Sequence, residues 1–250
     1  MLTDISVVMI AKDAQETIGA TLDSLLEFSD VVVYLNNSVD STKEIAQSYS
    51  NVNIVEGEFL GFGPTKTRAA DFAKNDWILS LDSDEVLPKD FVDTLSRMKL
   101  DESCVYAIDR VNFYKTTKIK HCWANDIIVR LYSKKLTSFD DANVHEKVMS
   151  DGFEVVVIKD EVFHYPYQSI SDFIVKLDRY SSIFANEHVG KKNSSPSKAF
   201  FNGSFSFFKT YFLKKGFLDG YAGLVIAFSH MATNFYKYIK LYELNKEQKK

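Results

Sequence analysis

Cysteine is nearly absent. Cys104 and Cys122 are the only two in 250 residues, too few for a disulfide framework or, alone, for a structural zinc site. A reduced, cytoplasmic setting is the expectation. Four prolines and ten glycines exclude collagen-like and low-complexity chains. No apolar run approaches the ~18 residues that span a bilayer, the longest candidate being Gly223–Phe228. No basic segment precedes the first apolar stretch, so a secretory signal is not expected. What remains is a globular composition, 46% hydrophobic and 26% charged. The length suits one large α/β domain, with or without a helical appendage.

The net charge of −4 conceals an asymmetry. Residues 1–159 hold 17 basic and 26 acidic side chains, whereas residues 160–250 hold 13 and 8, together with 20 of the 35 aromatic residues. A basic, aromatic segment suits nucleic acid, an anionic membrane or an acidic substrate. The alternative is a helical subdomain with a solvated lysine face over an aromatic core.

Ile5–Ile10, Val31–Leu35, Val52–Val55 and Asp76–Leu81 read as short, buried strands. Helical patterns separate them, over residues 15–27, 41–50 and Thr65–Lys74, with Asp40 or Ser41 suited to cap the second. Strands alternating with helices predict a parallel sheet with right-handed crossovers. Val105–Phe113, Ile127–Ser133 and Val155–Tyr165 read as strands without clear intervening helices, and so as additions to the sheet's edge. From Ser169 the pattern is helical. Ile170, Phe173, Ile174, Leu177 and Tyr180 share one face, Asn193–Ser197 is a loop, and residues 198–213 and 221–242 are further helices. No repeat of solenoid or propeller period occurs.

Asp82-Ser-Asp-Glu85 follows the fourth strand directly. Open parallel sheets bind ligands outside the carboxyl ends of their strands. Carboxylates at i and i+2 leaving such a strand can converge on Mg²⁺ or Mn²⁺ beside a substrate diphosphate. The alternative is an acidic helix start, for which Pro88 suits a first turn.

The segments Ile5–Ile10 with Glu16-Thr-Ile18, Val31–Leu35 with Ser38–Thr42, Lys66-Thr-Arg68, and Trp77–Glu85 together resemble the family 2 glycosyltransferases of GT-A fold. Beyond that core, Trp123, Arg130-Leu-Tyr132, Val144-His-Glu146, His164-Tyr165, Lys176–Tyr180 and Gly216–Gly220 resemble the branch that builds the inner core of lipopolysaccharide or lipooligosaccharide. The resemblance covers nearly the whole chain. It implies a mixed, mainly parallel sheet flanked by helices over residues 1–168, with 1–85 binding the nucleotide-sugar and 86–168 facing the acceptor. Residues 169–250 form a helical, basic extension. One departure stands out. The family usually carries an Asp at the end of the second strand, where this chain has Asn36, whose amide still offers a donor and an acceptor to a base.

The implied activity is inverting transfer of a hexose, glucose from UDP-glucose, to a core heptose, assisted by Mn²⁺ or Mg²⁺. On this resemblance Asp82, Asp84 and His164 serve the metal. Glu146 is the first choice of base for the attacking hydroxyl and Asp126 the second. Lys12, Asn36, Arg68, Asp82, Ser83 and Glu85 contact the nucleotide-sugar. His145 reads as the cap of an element, and Trp123 as a core residue or a sugar-stacking platform. The partners implied are the donor and a lipid-anchored oligosaccharide acceptor, with no nucleic acid. Phe200–Phe217, with Lys209, Lys214 and Lys215, suits peripheral contact with the anionic inner face of the cytoplasmic membrane. Internal packing or a homodimer would use the same residues. Other classes fare worse. A glycosidase needs an opposed acid and base pair. No P-loop or dinucleotide-binding glycine fingerprint is present, and Ala11–Gln15 lacks the glycine-rich loop expected of a nucleotidyltransferase. A non-catalytic nucleotide-sugar-binding module is the remaining alternative.

Overall fold

The computed structural model describes residues 2–142 and 146–248. The chain divides into two compact units, Met1–Val111 with Asn125–Tyr165, and Asn112–Ala124 with Pro166–Lys250. Residues 112–124 thus group with the C-terminal helices rather than dividing from them at 168/169, Tyr114, Ile119 and Cys122 packing with Phe173, Ala222 and Ile226.

In the first unit, β1 (Ile5–Ala11), β2 (Val31–Leu35), β3 (Val52–Glu56) and β4 (Trp77–Ser80) alternate with α1 (Ile18–Asp23), α2 (Thr42–Gln47) and α3 (Phe62–Ala70). Then come β5 (Glu85–Val86), α4 (Lys89–Arg97), β6 (Cys104–Tyr114), β8 (Asp126–Ser133) and β9 (Glu154–Tyr167); the short β7 (Thr117–Lys118), between β6 and β8 in sequence, belongs to the second unit. The sheet order is β3-β2-β1-β4-β8-β6-β9-β5. β1 pairs in parallel with β2 and β4, and β2 with β3. β8 lies antiparallel to both β4 and β6. This is the mixed sheet expected from a run of crossovers followed by edge strands.

The continuous apolar runs of β1 and β2 follow from burial on both faces. Alternate residues divide between two cores. Val7, Met9, Val31, Val33 and Leu79 pack with Ile18 and Leu22 of α1 and Phe91 and Leu95 of α4. Val8, Ile10, Val32, Tyr34 and Ile78 pack with Ala69 and Ala70 of α3 on the other side. α1 is shorter than its apolar periodicity, because the chain leaves it in successive turns: Ser24 and Leu25 donate to Thr21 and Leu22 carbonyls and Phe28 to that of Leu25. α4 begins at the helix start that the acidic stretch offered as an alternative reading, with Pro88 at its N-cap. Its signal was present in Phe91, Val92 and Leu95 on one face after Pro88.

In the second unit, α5 (Ile170–His188) and α6 (Pro196–Phe208) pack against α7 (Gly220–Glu247). A reciprocal cap starts α5: the Asp172 N–H donates to Ser169 Oγ (3.2 Å), and the Ser169 N–H donates to the Asp172 carboxylate (2.9 Å). The expected helix over 198–213 is α6 plus a π-helical turn, Lys209–Leu213. The core here is Tyr114, Ile119, Cys122, Phe173, Ala222 and Ile226. Asp219 ties the 112–124 segment down by accepting from the N–H groups of Lys120, His121 and Cys122 at 2.9–3.2 Å. Among the described residues no helix is long and apolar enough to cross a membrane.

Candidate active site

Leu81 continues β4 by donating to the Val8 carbonyl (3.0 Å), after which Glu85 N–H closes a turn on Asp82 O (3.0 Å). The chain then returns as β5, antiparallel to β9, with Glu85 opposite His164. That register sets Asp84 beside His164, and the Tyr165 N–H donates to Asp84 O (2.9 Å). Asp84 Oδ1 stands 3.4 Å from His164 Nε2, both groups mostly buried.

Asp82 points elsewhere. Lys66 of α3 holds its Oδ1 at 2.7 Å, while Arg130 of β8 (2.7 Å) and Arg110 of β6 (3.5 Å) share its Oδ2. Lys66 also pairs with Glu146 (2.7 Å). Arg110 pairs with the fully buried Glu85 (3.0 Å) and with Asp126 (2.8 Å). Glu85 Oε2 accepts the Asp82 N–H (2.9 Å). The result is one chain of charges, Glu146–Lys66–Asp82–Arg130 with Arg110, Glu85 and Asp126. Each cation is shared between carboxylates, which is how buried charge is tolerated.

Burial pushes the Asp82 carboxyl up, but Arg130, Lys66 and Arg110 outweigh it and hold it well below the usual range. Burial likewise works against the Arg110 and Arg130 charges. Glu85, Asp126 and Asp82 reverse this for Arg110, as Asp82 and Glu85 do for Arg130, and both stay firmly protonated. Arg130 Nε is buried without a partner among the described residues.

Gly63 allows a close backbone approach beside Lys66. A Cβ at Gly63 would collide with the Asp140 carbonyl. Its N–H donates to Ala142 O (3.1 Å), so the bare backbone lets Asp140 and Ala142 lie against α3. His145 falls outside the described residues.

The expected site residues therefore separate. Asp82, Asp84, Glu85, Asp126, Glu146 and His164 gather around this network. No three His, Cys, Asp or Glu side chains among the described residues form a ready-made metal cage, and Asp82 pairs with three cations. Lys12 is exposed after β1, and Asn36 is half-buried after β2, its N–H donating to Ala11 O (3.2 Å). Their loops are laced together: Asp13 N–H donates to Ser38 Oγ (3.1 Å), and Val39 N–H to Asp13 Oδ1 (2.9 Å). Ser83 offers its carbonyl to Thr21 Oγ1 (3.1 Å).

Arg68 is exposed on the opposite side of α3 from Lys66. It lies over the Phe72 ring at 6.0 Å, in a groove of about 500 Å³ with Thr67, Asp71 and Met149. The cations that meet the carboxylates are Lys66, Arg110 and Arg130, none of them assigned a role from sequence. Trp123 belongs to the second unit's aromatic core, stacked on Tyr167 (5.7 Å) and Phe173 (6.4 Å).

An imidazole and a carboxylate side by side are a donor set that Mn²⁺ accepts. With two protein ligands, positions remain open for diphosphate oxygens and water. Asp84 and His164 fit such an ion.

The pattern of the family described as "Glycosyl transferase family 2" matches residues 6–164. The chain belongs to glycosyl transferase family 2. It is a glycosyltransferase, and its α/β architecture is of the GT-A type. Relatives named "uncharacterized glycosyltransferase" occur in Rickettsia bellii, 28% identical over 257 residues (96% of this chain, 87% of that one), and in Rickettsia felis, 28% identical over 255 residues (96% and 89%). Among solved structures, Staphylococcus aureus TarS 1–349 in complex with UDP-GlcNAc aligns with a TM-score of 0.48 at 16% identity, over 98% of this chain and 91% of that one. Glucosyl-3-phosphoglycerate synthase from Mycobacterium tuberculosis, in complex with Mn²⁺, UDP and glucosyl-3-phosphoglycerate, aligns at 0.36 and 21% identity over 44% of each chain.

Proposed function

We propose that this glycosyltransferase transfers glucose from UDP-glucose, with inversion, to a heptose of a lipid-anchored inner-core oligosaccharide. The observation that carries the chemistry is the Asp84–His164 pair at 3.4 Å beside the Lys66–Asp82–Arg130 network. The donor and acceptor rest on the motif resemblance.

In an inverting transfer the acceptor hydroxyl attacks the anomeric carbon opposite the diphosphate. The C–O bond to the diphosphate breaks with its electron pair, and the hydroxyl proton leaves to a base. Glu146 is that base in this reading, its carboxylate oriented by Lys66 at 2.7 Å. Asp126, held through Arg110, is the second choice. Asp84 and His164 would hold a divalent ion, Mn²⁺ or Mg²⁺, which when bound neutralises charge on the leaving diphosphate. Asp82, fixed ionised by three cations, positions Lys66 and Arg130 rather than ligating. Those cations preorganise positive charge where the diphosphate develops negative charge. Lys12 and Asn36, on adjacent strand ends, face the nucleoside. Ser83 and Glu85 hold the turn that presents Asp84.

The test is turnover of a panel of nucleotide-sugars with Mn²⁺ and a heptose-terminated acceptor, with the anomeric configuration of the product read by NMR. UDP-glucose consumption with inversion supports the reading. Preference for another donor, or retention at the anomeric carbon, removes it.

A further inference from the structure

The second unit has an inverted helix. In α6 the small residues Ala199 and Gly203 face inward, Gly203 lying against the Met231 carbonyl and Phe235 of α7. The phenylalanines face out. Phe201, Phe205 and Phe208 are 69%, 61% and 48% exposed, and their i, i+4, i+7 spacing makes one stripe. Phe212, in the π-helical turn, extends it. An apolar stripe of this size left in water marks a contact surface.

The charges on the segment that carries it have one sign. Between Pro196 and Leu218 the charged residues are Lys198, Lys209, Lys214 and Lys215. The next carboxylate, Asp219, is occupied by three backbone N–H groups.

A lysine triad adjoins the stripe. The Lys192 ammonium lies 5.4 Å from the Phe184 ring centroid and 5.7 Å from that of Tyr238. Lys237 lies 5.0 and 5.4 Å from the same two rings, and Lys198 5.5 Å from Tyr238. Among the described residues none of the three has a carboxylate within ion-pair distance; Lys198 Nζ donates only to the Asn193 carbonyl (2.9 Å). Three ammonium groups over one aromatic pair repel one another unless an anion joins them. Burial and the neighbouring Lys192 accordingly hold Lys237 below the ordinary lysine range. Lys198 sits three residues before Phe201, on the same face of α6, so the triad and the stripe form one surface.

We infer that this surface docks on an anionic phospholipid membrane, the phenylalanines entering the interface and the lysine triad gripping lipid phosphates. An isologous contact with a second copy would bring the same lysines face to face, which costs energy. An anionic leaflet attracts them. The contact is peripheral, as no described helix is suited to crossing the bilayer. The inference rests on the second unit's own residues and not on the transfer chemistry proposed above.

The test is co-sedimentation of the full chain with vesicles of mixed phosphatidylglycerol and phosphatidylcholine, and with phosphatidylcholine vesicles, across a salt series. The chain should bind the anionic vesicles and release as salt rises. Replacing Lys192, Lys198 and Lys237 together by Gln should weaken that binding on the order of a hundredfold. Phe201→Ser with Phe205→Ser should weaken it about tenfold or more at every salt concentration. Thermal unfolding of each variant verifies its fold, and a chain that binds both vesicle types equally, or neither, overturns the inference. So does a dimer, seen by light scattering, that the phenylalanine variant disperses while vesicle binding is unchanged.

Discussion

Acid should unfold the second unit through one histidine. His230 Nδ1 lies 3.0 Å from Thr210 Oγ1, and the Trp123 indole N–H donates to His230 Nε2 (3.4 Å). An indole nitrogen can only donate, so Nε2 accepts, and the neutral ring's proton sits on Nδ1, facing Thr210. A second proton on Nε2 would oppose the indole N–H. Burial, with Lys214 adding to it, lowers the ring's pKa from 6.5 to about 4. Above pH 6.5 the ring is neutral in both the folded and unfolded states, and stability is full. Between 6.5 and about 4 only the unfolded state takes up the proton, so stability falls as pH falls. The displacement is worth roughly 3 kcal/mol once complete. Urea unfolding followed by tryptophan fluorescence reads it, because Trp123 is the contacting residue. Carboxylates such as Asp82, held below the usual range, lose their contribution only at lower pH, near and below about 4, so the two falls are separable. His230→Gln, which keeps one donor and one acceptor without a titrating ring, should flatten the slope across the His230 window. An unchanged slope in that variant would refute the reasoning.

Lys66→Met leaves Asp82 with two cations and Glu146 without its 2.7 Å partner. The expected loss is about 3 kcal/mol in chemical denaturation, partly restored when Glu146→Gln is added. Asp84→Asn should abolish Mn²⁺ binding seen by electron paramagnetic resonance while the melting temperature holds, and intact Mn²⁺ binding would discard the Asp84–His164 assignment. Glu146→Gln should cut kcat at least about a hundredfold with the donor KM little changed; if only Asp126→Asn does so, the base is Asp126. Asp219→Ala strips an acceptor from three backbone N–H groups and should cost about 2 kcal/mol by thermal unfolding.

The strands of the first unit were legible because burial on both faces demands apolar residues at every position, so Val31–Leu35 has the same bounds in sequence and structure. α4 was half-legible: Pro88 marks its start, but with only Phe91, Val92 and Leu95 buried over nine residues its apolar face is short. Asp84 and His164 are 80 positions apart, and only the β5–β9 register brings them together. No local pattern encodes that pairing. The choice between Lys66 and Arg68 is subtler. The two differ by two positions, a little over half a helical turn, and face opposite sides of α3. Which one meets Asp82 depends on where Ala69 and Ala70 seat the helix on the sheet.

Arg130 carried the one signal that could have been read further. It sits inside the apolar run Ile127–Tyr132 and is 5% exposed. A guanidinium cannot be discharged in a protein, so one buried in a strand requires a buried carboxylate on a neighbouring element. The acidic turn at the end of β4 is the natural candidate, since an edge strand added beside β4 would pair with it. A cation in the middle of an apolar strand therefore specifies that some of the acidic cluster is paired within the protein. Asp82 meets that demand, its Oδ2 standing 2.7 Å from Arg130.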